Sequence, residues 1–205
     1  MKLASHNTFS YLPVRKWWMW PFAWMARCQR TDFWLQVESG VRMFDLRVRF
    51  DKRGLPVICH GLIEYRHGDN YIGQALRYLQ QSEVKPYYIR VVLETSKYDE
   101  RQEDLFISFC DRLEHDWFPT LYFFGGNNRK DWNCKHPIYR FSVAPEIVHK
   151  YASTTTLFPK GPKWLWYVDD LCPFLYARLH NHKNIEEYHK ERCFKWLMLD
   201  FVDIR

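Results

Sequence analysis

The chain contains 205 residues, 30 of them Lys or Arg and 24 Asp or Glu, which gives a net charge of +6. This length predicts one domain over residues 1–205 with a sizeable core, and the charge favours an anionic partner such as a lipid surface or a phosphorylated substrate over nucleic acid. No apolar run reaches the roughly 18 residues of a membrane span, and no signal-peptide pattern opens the chain. We therefore expect a cytoplasmic protein that contacts membranes, if at all, peripherally.

The amino-terminal segment combines a short strand with an aromatic stretch. Residues 1–4 predict a strand that ends at His6. Residues 11–30 interleave tryptophans with Lys and Arg, and two prolines divide the stretch into a loop and one or two short helices. Tryptophan beside basic residues suits the headgroup layer of a membrane, although such a stretch would also pack over a sheet. The predicted membrane-interface residues are Trp17, Trp18, Trp20 and Trp24.

Strands and helices then alternate along the chain. A helix over residues 33–39 ends at Gly40, a strand covers 41–50, and a turn at 51–54 leads to a strand over 55–59 that stops at His60. The later predicted helices are 71–82, 100–113, 145–151, 174–181 and 184–192, and the later strands are 87–93, 120–124, 138–143, 164–168 and 196–202. This alternation predicts an α/β fold, a compact TIM-type (β/α) barrel with parallel strands. The chain is close to the minimum length for such a barrel, so an incomplete barrel is the alternative.

Residues suited to acid–base chemistry fall near the ends of these strands, where the active sites of such barrels lie. Two histidines titrate near neutral pH and can take and give a proton. The planar guanidinium group of an arginine can donate two parallel hydrogen bonds to a phosphate group. The set predicts cleavage of a phosphodiester by general acid–base catalysis. Its members are His6, Arg47, His60, Glu94 and Asp200.

These residues also stand in a known order of motifs. Ser5-His6-Asn7-Thr8 resembles the opening motif of the X domain of phosphatidylinositol-specific phospholipase C. Residues 40–47, Gly-Val-Arg-Met-Phe-Asp-Leu-Arg, resemble the second-strand motif of its bacterial members, and His60-Gly61 resembles the motif of the second catalytic histidine. Residues 91–94 and 197–201 fit its later motifs more loosely. The resemblance is strongest near the amino terminus.

The resemblance implies a (β/α) barrel that cleaves a phospholipid or another phosphodiester in two steps, through a cyclic phosphate. It makes His6 the general base, oriented by Asp200, and His60 the general acid for the leaving oxygen. It makes Arg47 the group that neutralises the phosphoryl oxygens. Asp45, two residues earlier on the same strand face, would orient His60 or Arg47.

The amide at Asn7 departs from the bacterial pattern, in which an aspartate follows the first histidine. Calcium-dependent relatives have an asparagine there, and Asn7, Asp45 and Glu94 could offer oxygens to Ca²⁺. However, the guanidinium of Arg47 would repel the ion. We therefore predict a metal-free site without a cofactor, and Ca²⁺ binding is the alternative.

Structural alternatives apply to several of these assignments. Asp45 and Arg47 would also fit a buried ion pair inside the barrel, and Asp203 is the alternative to Asp200 as the partner of the first histidine. Basic residues in the second half of the chain offer further contacts to an anionic substrate. The predicted substrate-binding residues are Asn7, Glu94, Arg129 and Arg140.

Two other functions compete with this prediction. A metal-dependent glycerophosphodiester or sphingolipid phosphodiesterase on the same barrel would need a Glu-x-Asp pair where this chain has Asp45-x-Arg47. A catalytically inactive lipid- or phosphate-binding module would keep the pocket without turnover.

The six cysteines form no Cys-x-x-Cys pair and are predicted to be reduced thiols. The oligomeric state is left open.

Overall fold

The computed structural model describes residues 1–127, 139, 141, 148–151, 172–190 and 196–204. Within these ranges a mixed β-sheet packs against helices. The strands are β1 (Leu3–Ser5), β2 (Met43–Phe50), β3 (Pro56–His60), β4 (Ile63–Glu64), β5 (Tyr87–Leu93), β6 (Leu121–Asn127), β7 (Val148–Tyr151) and β8 (Trp196–Leu199). The helices are a 3₁₀ helix (Trp17–Phe22), α1 (Ala23–Ala26), α2 (Phe33–Glu38), α3 (Gly68–Gln81), α4 (Glu100–Trp117) and α5 (Pro173–Lys190).

Six strands form the parallel part of the sheet, in the order β7-β8-β1-β2-β5-β6. This order places the carboxyl ends of β1, β2, β5 and β8 at one edge of the sheet, which is where a barrel of this kind carries its chemistry. Among the described residues, β6 and β7 pair with no strand on their outer sides. Within the described residues the architecture is thus the predicted α/β fold, with a sheet that does not close, which agrees with the alternative of an incomplete barrel.

The hairpin β3–β4 departs from the parallel arrangement. Strand β3 runs antiparallel to β2, with Val48 opposite Ile58 and Phe50 opposite Pro56. The turn over residues 51–54 therefore reverses the chain, and His60 returns alongside the middle of β2. This return brings the second histidine of the predicted site to the level of Arg47.

Helix α2 anchors the amino end of the site to the core. Asp32 begins the helix by accepting a hydrogen bond from the Leu35 amide (2.9 Å), and Gly40 ends it with φ +89°. Buried Phe33 stacks on Phe9 and packs against Phe44, with ring centroids 5.5 and 4.8 Å apart. Burying a ring of this size stabilises the fold by about 1.5–3 kcal/mol.

Several predicted elements differ from the structure. Residues 148–151, predicted to be helical, form β7 because they pair in parallel with β8. The two helices predicted over 174–192 are one helix, α5, since no glycine or proline interrupts them. Helix α4 extends to Trp117, beyond the predicted end, and β8 ends at Leu199, before the predicted one.

Strand β6 continues through Gly125, where the sequence predicted a loop. Gly125 lies opposite Val91 of β5 and has φ +146°, and a Cβ atom there would lie 1.7 Å from the Val91 carbonyl oxygen. The glycine therefore permits a close approach of two strands. The predicted strands over 138–143 and 164–168 fall outside the described residues, apart from positions 139 and 141.

Other predictions concern cysteines and membrane spans. The cysteines that the structure describes, Cys28, Cys59, Cys110 and Cys172, are free thiols, as predicted. In the described part of the chain, no helix combines the length and the apolar character that crossing a membrane requires.

Candidate active site

The turn after β1 places His6 at the carboxyl edge of the sheet. The His6 amide continues the pairing with β8 by donating to Leu199 O (3.0 Å), and Asn7 then takes a left-handed conformation with φ 42°. The next residue is tied to β2, because Thr8 N donates to Asp45 O and Asp45 N donates to Thr8 Oγ1, both at 3.0 Å. These bonds hold the buried His6 ring between β8 and β2.

The side chain of Asp200, directly after β8, is the partner of the first histidine. His6 Nδ1 lies 2.5 Å from Asp200 Oδ1, and both side chains are buried. The position of Asp200 is secured by Asn181 of α5, whose amide donates to Asp200 O (2.9 Å). The alternative partner, Asp203, instead pairs with Arg30. The structure therefore places Asp200, and not Asp203, against His6.

Arg47 lies at the centre of the site. Its Nε donates to Asp45 Oδ2 (2.8 Å), its Nη1 donates to Glu94 Oε2 (3.0 Å), and its Nη2 lies 2.5 Å from His6 Nε2. Because a guanidinium only donates hydrogen bonds, His6 Nε2 accepts. The ring proton of neutral His6 is therefore on Nδ1, where it binds Asp200. This tautomer leaves Nε2 as the proton acceptor that a general base needs.

Asp45 forms ion pairs with two arginines. Its Oδ1 accepts from Arg90 Nη1 (2.9 Å) and its Oδ2 accepts from Arg47. Burial alone would raise the pKa of Asp45, but the guanidinium groups of Arg47 and Arg90 outweigh burial and hold the pKa well below its usual range. Of the two predicted roles for Asp45, orienting Arg47 fits this geometry.

His60 completes the cluster from the hairpin. Its ring centroid lies 5.6 Å from that of His6, at an interplanar angle of 82°, and its Nδ1 lies 2.9 Å from Ala26 O. Burial, reinforced by the positive charge of Arg47, lowers the pKa of His60. The adjacent Gly61 amide donates to the Glu94 carboxylate. Glu94 thus links the second histidine to Arg47.

Glu94 and Asn7 line the same cluster. Burial raises the pKa of Glu94, but Arg47 and His60 lower it by more, so the net shift is downward. Asn7 is fully buried, and the Nδ2 and Oδ1 atoms of its side chain have no hydrogen-bond partner among the described residues. An unpaired buried amide is costly without a ligand, which makes Asn7 a candidate contact for a polar substrate group.

The structure brings most of the sequence-predicted site residues together. Arg129 and Arg140 lie outside the described residues, and their predicted substrate contacts stay predictions. Sequence reasoning missed Arg90, although a charged residue inside the β-branched strand over 87–93 was a visible signal, and it missed Cys28, which no local pattern marked. The residues that converge are His6, Asn7, Asp45, Arg47, His60, Glu94 and Asp200.

The aromatic stretch lies next to this cluster. Ala26, the last residue of α1, provides the carbonyl that meets His60 Nδ1. The preceding side chains are open to solvent, with exposed fractions of 77% for Trp17 and 73% for Trp20. A cavity of about 540 Å³ is lined in part by these two rings together with Arg27 and Arg66. The predicted loop and short helices over residues 11–30 are confirmed.

Comparisons with known proteins give a result only at the level of structure. No family profile matches the sequence, and no curated protein does. A solved mutant of the phosphatidylinositol-specific phospholipase C of Staphylococcus aureus matches 98% of this chain and 85% of its own, with a TM-score of 0.62 and 16% identity. The phosphatidylinositol-specific phospholipase C of Listeria monocytogenes matches 98% of this chain and 88% of its own, with a TM-score of 0.62 and 14% identity. The chain therefore has the fold of the bacterial phosphatidylinositol-specific phospholipases C.

Proposed function

We propose that this protein is a phosphodiesterase of the phosphatidylinositol-specific phospholipase C type that works without a metal ion. The observation that carries the proposal is the buried His6–Asp200 pair, with Arg47 against its free ring nitrogen and His60 facing it at 5.6 Å. A base, an acid and a phosphate-binding cation thus occupy one cluster. The matching fold of bacterial enzymes that act on phosphatidylinositol supports the same substrate class.

The first chemical step begins at His6 Nε2. A substrate phosphate accepts from Arg47 Nη2 while Asp45 and Glu94 keep Nε and Nη1 in place. The neighbouring hydroxyl of the inositol ring then takes the place of Nη2 at His6 Nε2. Nε2 removes the hydroxyl proton while the oxygen attacks phosphorus. The imidazolium that results is stabilised by the Asp200 carboxylate, which is already 2.5 Å from Nδ1. Buried charge-assisted hydrogen bonds of this kind are the stronger class.

His60 serves the departing oxygen. As the bond from phosphorus to the diacylglycerol oxygen breaks, protonated His60 gives its proton to that oxygen. The products are the free alcohol and a cyclic inositol phosphate, so every proton and bond is accounted for. The low pKa of His60 makes it a strong acid once it is protonated. Hydrolysis of the cyclic ester would reverse the roles, with His60 activating water and His6 protonating the ring oxygen.

The charge of Arg47 takes the place of a metal ion in this scheme. Its Nε and Nη1 are held by Asp45 and Glu94, so the guanidinium is oriented before substrate binds. The same two carboxylates would have to leave Arg47 to coordinate Ca²⁺. Preorganised positive charge at the phosphoryl oxygens is the most effective form of such stabilisation. We therefore propose activity in the absence of divalent cations.

The exposed tryptophans supply the contact with a lipid surface. Trp17, Trp18, Trp20 and Trp24 are each more than half exposed and follow one another on the 3₁₀ helix and α1. Rings with a polar N–H edge partition into the headgroup layer. Because α1 ends at the carbonyl that contacts His60, insertion of this cluster would bring the lipid phosphate close to the catalytic residues.

The experiment that tests the proposal compares two substrates in three variants. With phosphatidylinositol vesicles in EDTA, His6→Ala and His60→Ala are each expected to lose roughly 10²–10⁴-fold in rate. An inositol phosphodiester with an aryl leaving group needs no general acid, so it should restore turnover to His60→Ala but not to His6→Ala. His115→Ala, on the exposed surface of α4, is the matched control. Equal loss in all three variants, or no turnover by the unmodified protein, would reject the proposal.

A further inference from the structure

Cys28 lies beside both histidines of the site, and the proposed reaction does not use it. Its Sγ is 3.6 Å from His60 Nδ1. One ligand atom from each of His6, Cys28 and His60 lies within 4.8 Å of the others, and the thiol itself is fully buried. A cysteine with two histidines is a donor set that soft and borderline divalent ions prefer.

We propose that His6, Cys28 and His60 form a binding site for a thiophilic divalent ion, represented by Zn²⁺, and that the bound ion switches off the enzyme by capturing both catalytic histidines. The inhibitory part of this inference rests on the proposed function, whereas the binding part does not. Zn²⁺ here is an inhibitor and not a cofactor of the reaction.

One pair of donors already has the spacing that a tetrahedral ion requires, and the third donor lies within 4.8 Å of both. With a Zn–S bond of about 2.3 Å and a Zn–N bond of about 2.0–2.1 Å, tetrahedral geometry separates sulfur and nitrogen by about 3.5 Å. The observed separation of Cys28 Sγ and His60 Nδ1 is 3.6 Å. Ca²⁺ and Mg²⁺ prefer oxygen ligands, so the same set discriminates against them.

The surrounding charges also favour a cation. Three buried carboxylates, of Asp45, Glu94 and Asp200, face two buried guanidinium groups, of Arg47 and Arg90, which leaves one net negative charge in this cluster. A thiol loses its proton when it coordinates a metal, so the site would then balance a divalent ion. Asp45 and Glu94 pair with Arg47 and offset the repulsion that its guanidinium exerts on a second cation.

A second observation points to a ligand at the same place. The Oδ2 atom of Asp200 is buried and has no hydrogen-bond partner among the described residues. The Asp200 carboxylate also lies within hydrogen-bonding reach of the Cys28 thiol, whose proton is lost when the sulfur coordinates a metal. A buried carboxylate oxygen without a partner is unfavourable unless a cation or a donor meets it. Asp200 therefore offers an anionic oxygen beside the three ligands.

Binding of the ion must replace hydrogen bonds that the catalytic residues now make. His60 Nδ1 would leave Ala26 O, and His6 would give up its contact with either Asp200 or Arg47. Neither histidine could then transfer a proton in the proposed reaction. Inhibition follows from the identity of the ligands and does not require a conformational change of the fold.

Binding is tested first, without reference to activity. Co²⁺ is titrated into the EDTA-treated protein, and the near-ultraviolet absorption of a cobalt–thiolate bond is recorded. One equivalent is expected to saturate the band, and Zn²⁺ is expected to displace it. Cys28→Ser should abolish the band and weaken Zn²⁺ binding roughly tenfold or more, whereas Cys172→Ser, at the start of α5, should change neither. A band that persists in Cys28→Ser, or the absence of a saturable band, would overturn the proposal.

The inhibitory role is tested with the same variants on phosphatidylinositol vesicles. Zn²⁺ should inhibit the unmodified protein and Cys172→Ser, EDTA should restore them, and Cys28→Ser should require roughly tenfold more Zn²⁺ or above. If near-ultraviolet circular dichroism shows that the serine variant is unfolded, Cys28→Ala is used in its place. Zn²⁺ binding at Cys28 in a protein that cleaves no phosphodiester would support the site and reject the proposed function. Phosphodiester cleavage with equal Zn²⁺ sensitivity in all variants would reject the site alone.

Discussion

Replacing Asp200 by asparagine tests how His6 works as a base. The substitution keeps the shape of the side chain but removes its charge. The Oδ1 atom of asparagine can still accept from His6 Nδ1, and its amide group takes the position of Asp200 Oδ2, which has no hydrogen-bond partner among the described residues. If the asparagine amide were flipped, its NH₂ group would donate to His6 Nδ1 and the ring proton would have to sit on Nε2. That proton would then face the donors of Arg47, which is unfavourable. The tautomer of His6 is therefore expected to survive.

The expected loss is then the difference between two hydrogen bonds. A hydrogen bond to a charged partner contributes about 1.5–3 kcal/mol and one between neutral groups about 0.5–1.5 kcal/mol. The imidazolium formed during catalysis exchanges a charged acceptor for a neutral amide oxygen. With the difference between the two classes as a measure of that exchange, the barrier rises by about 1–2 kcal/mol. The rate constant kcat should fall by about 5- to 30-fold. Asp200→Ala also removes the orientation of the ring and should cost about 10³–10⁴-fold.

Steady-state kinetics on phosphatidylinositol vesicles measures both losses. Asp203→Asn is the matched control, because Asp203 pairs with the half-exposed Arg30 and makes no contact with His6 that the structure shows. It should keep kcat close to that of the unmodified protein. If Asp200→Asn were as active as Asp203→Asn, or if Asp200→Ala were no worse than Asp200→Asn, the assigned role of the His6–Asp200 pair would be wrong.

Three further predictions concern pH, stability and membrane binding. Burial and Arg47 lower the pKa of His60, and the negative charge of Glu94 partly opposes them. Glu94→Gln should therefore lower the pKa of His60 further and shift the alkaline limb of kcat/KM to lower pH. An unchanged pH profile would contradict this. Asp45→Asn breaks a buried pair and should lower the free energy of unfolding by about 3 kcal/mol in urea titrations. Since the pKa of Asp45 is lowered in the folded state, this difference should persist at neutral pH and shrink as the pH falls below about 4, the ordinary value for aspartate. Trp17→Ala should weaken vesicle binding by about 1.5 kcal/mol, or roughly tenfold, in a sedimentation assay.

The matched controls follow from position in the fold. For vesicle binding, Val84→Ala removes a side chain that is 52% exposed in the turn before the amino end of β5, away from the aromatic cluster. Equal weakening by Val84→Ala and Trp17→Ala would show that the cluster has no special role. For stability, an Asp45→Asn variant that unfolds at the same urea concentration as the unmodified protein would contradict the buried pair.

The sequence predicted those parts of the site that depend on local pattern. Alternating apolar and polar residues predicted β2, and a β-branched run predicted β5. These strands place Arg47 within β2 and Glu94 directly after β5. The order of motifs added His6, His60 and Asp200. Because parallel strands bring their carboxyl ends to one edge, the predictions for His6, Glu94 and Asp200 converged without any knowledge of distances. His60 reaches the same site on the antiparallel strand β3.

The parts that the sequence did not predict depend on long-range pairing. Residues 148–151 form a strand only because β8 lies beside them, and Gly125 stays in β6 because of its close approach to Val91. The position of Cys28 near His60 is set by the reversal of β3 along β2 and by the path of the aromatic stretch. Tertiary contacts of this kind override local propensity, so neither periodicity nor spacing along the chain contains them.

The most direct test of the central claim is ³¹P nuclear magnetic resonance of phosphatidylinositol vesicles incubated with the protein in EDTA. We expect the resonance of a cyclic inositol phosphate in EDTA, its loss in His6→Ala and in His60→Ala, and no gain on adding Ca²⁺. A product that forms only after Ca²⁺ is added would contradict the assigned role of Arg47. Unchanged phosphatidylinositol under both conditions would contradict the proposed activity itself.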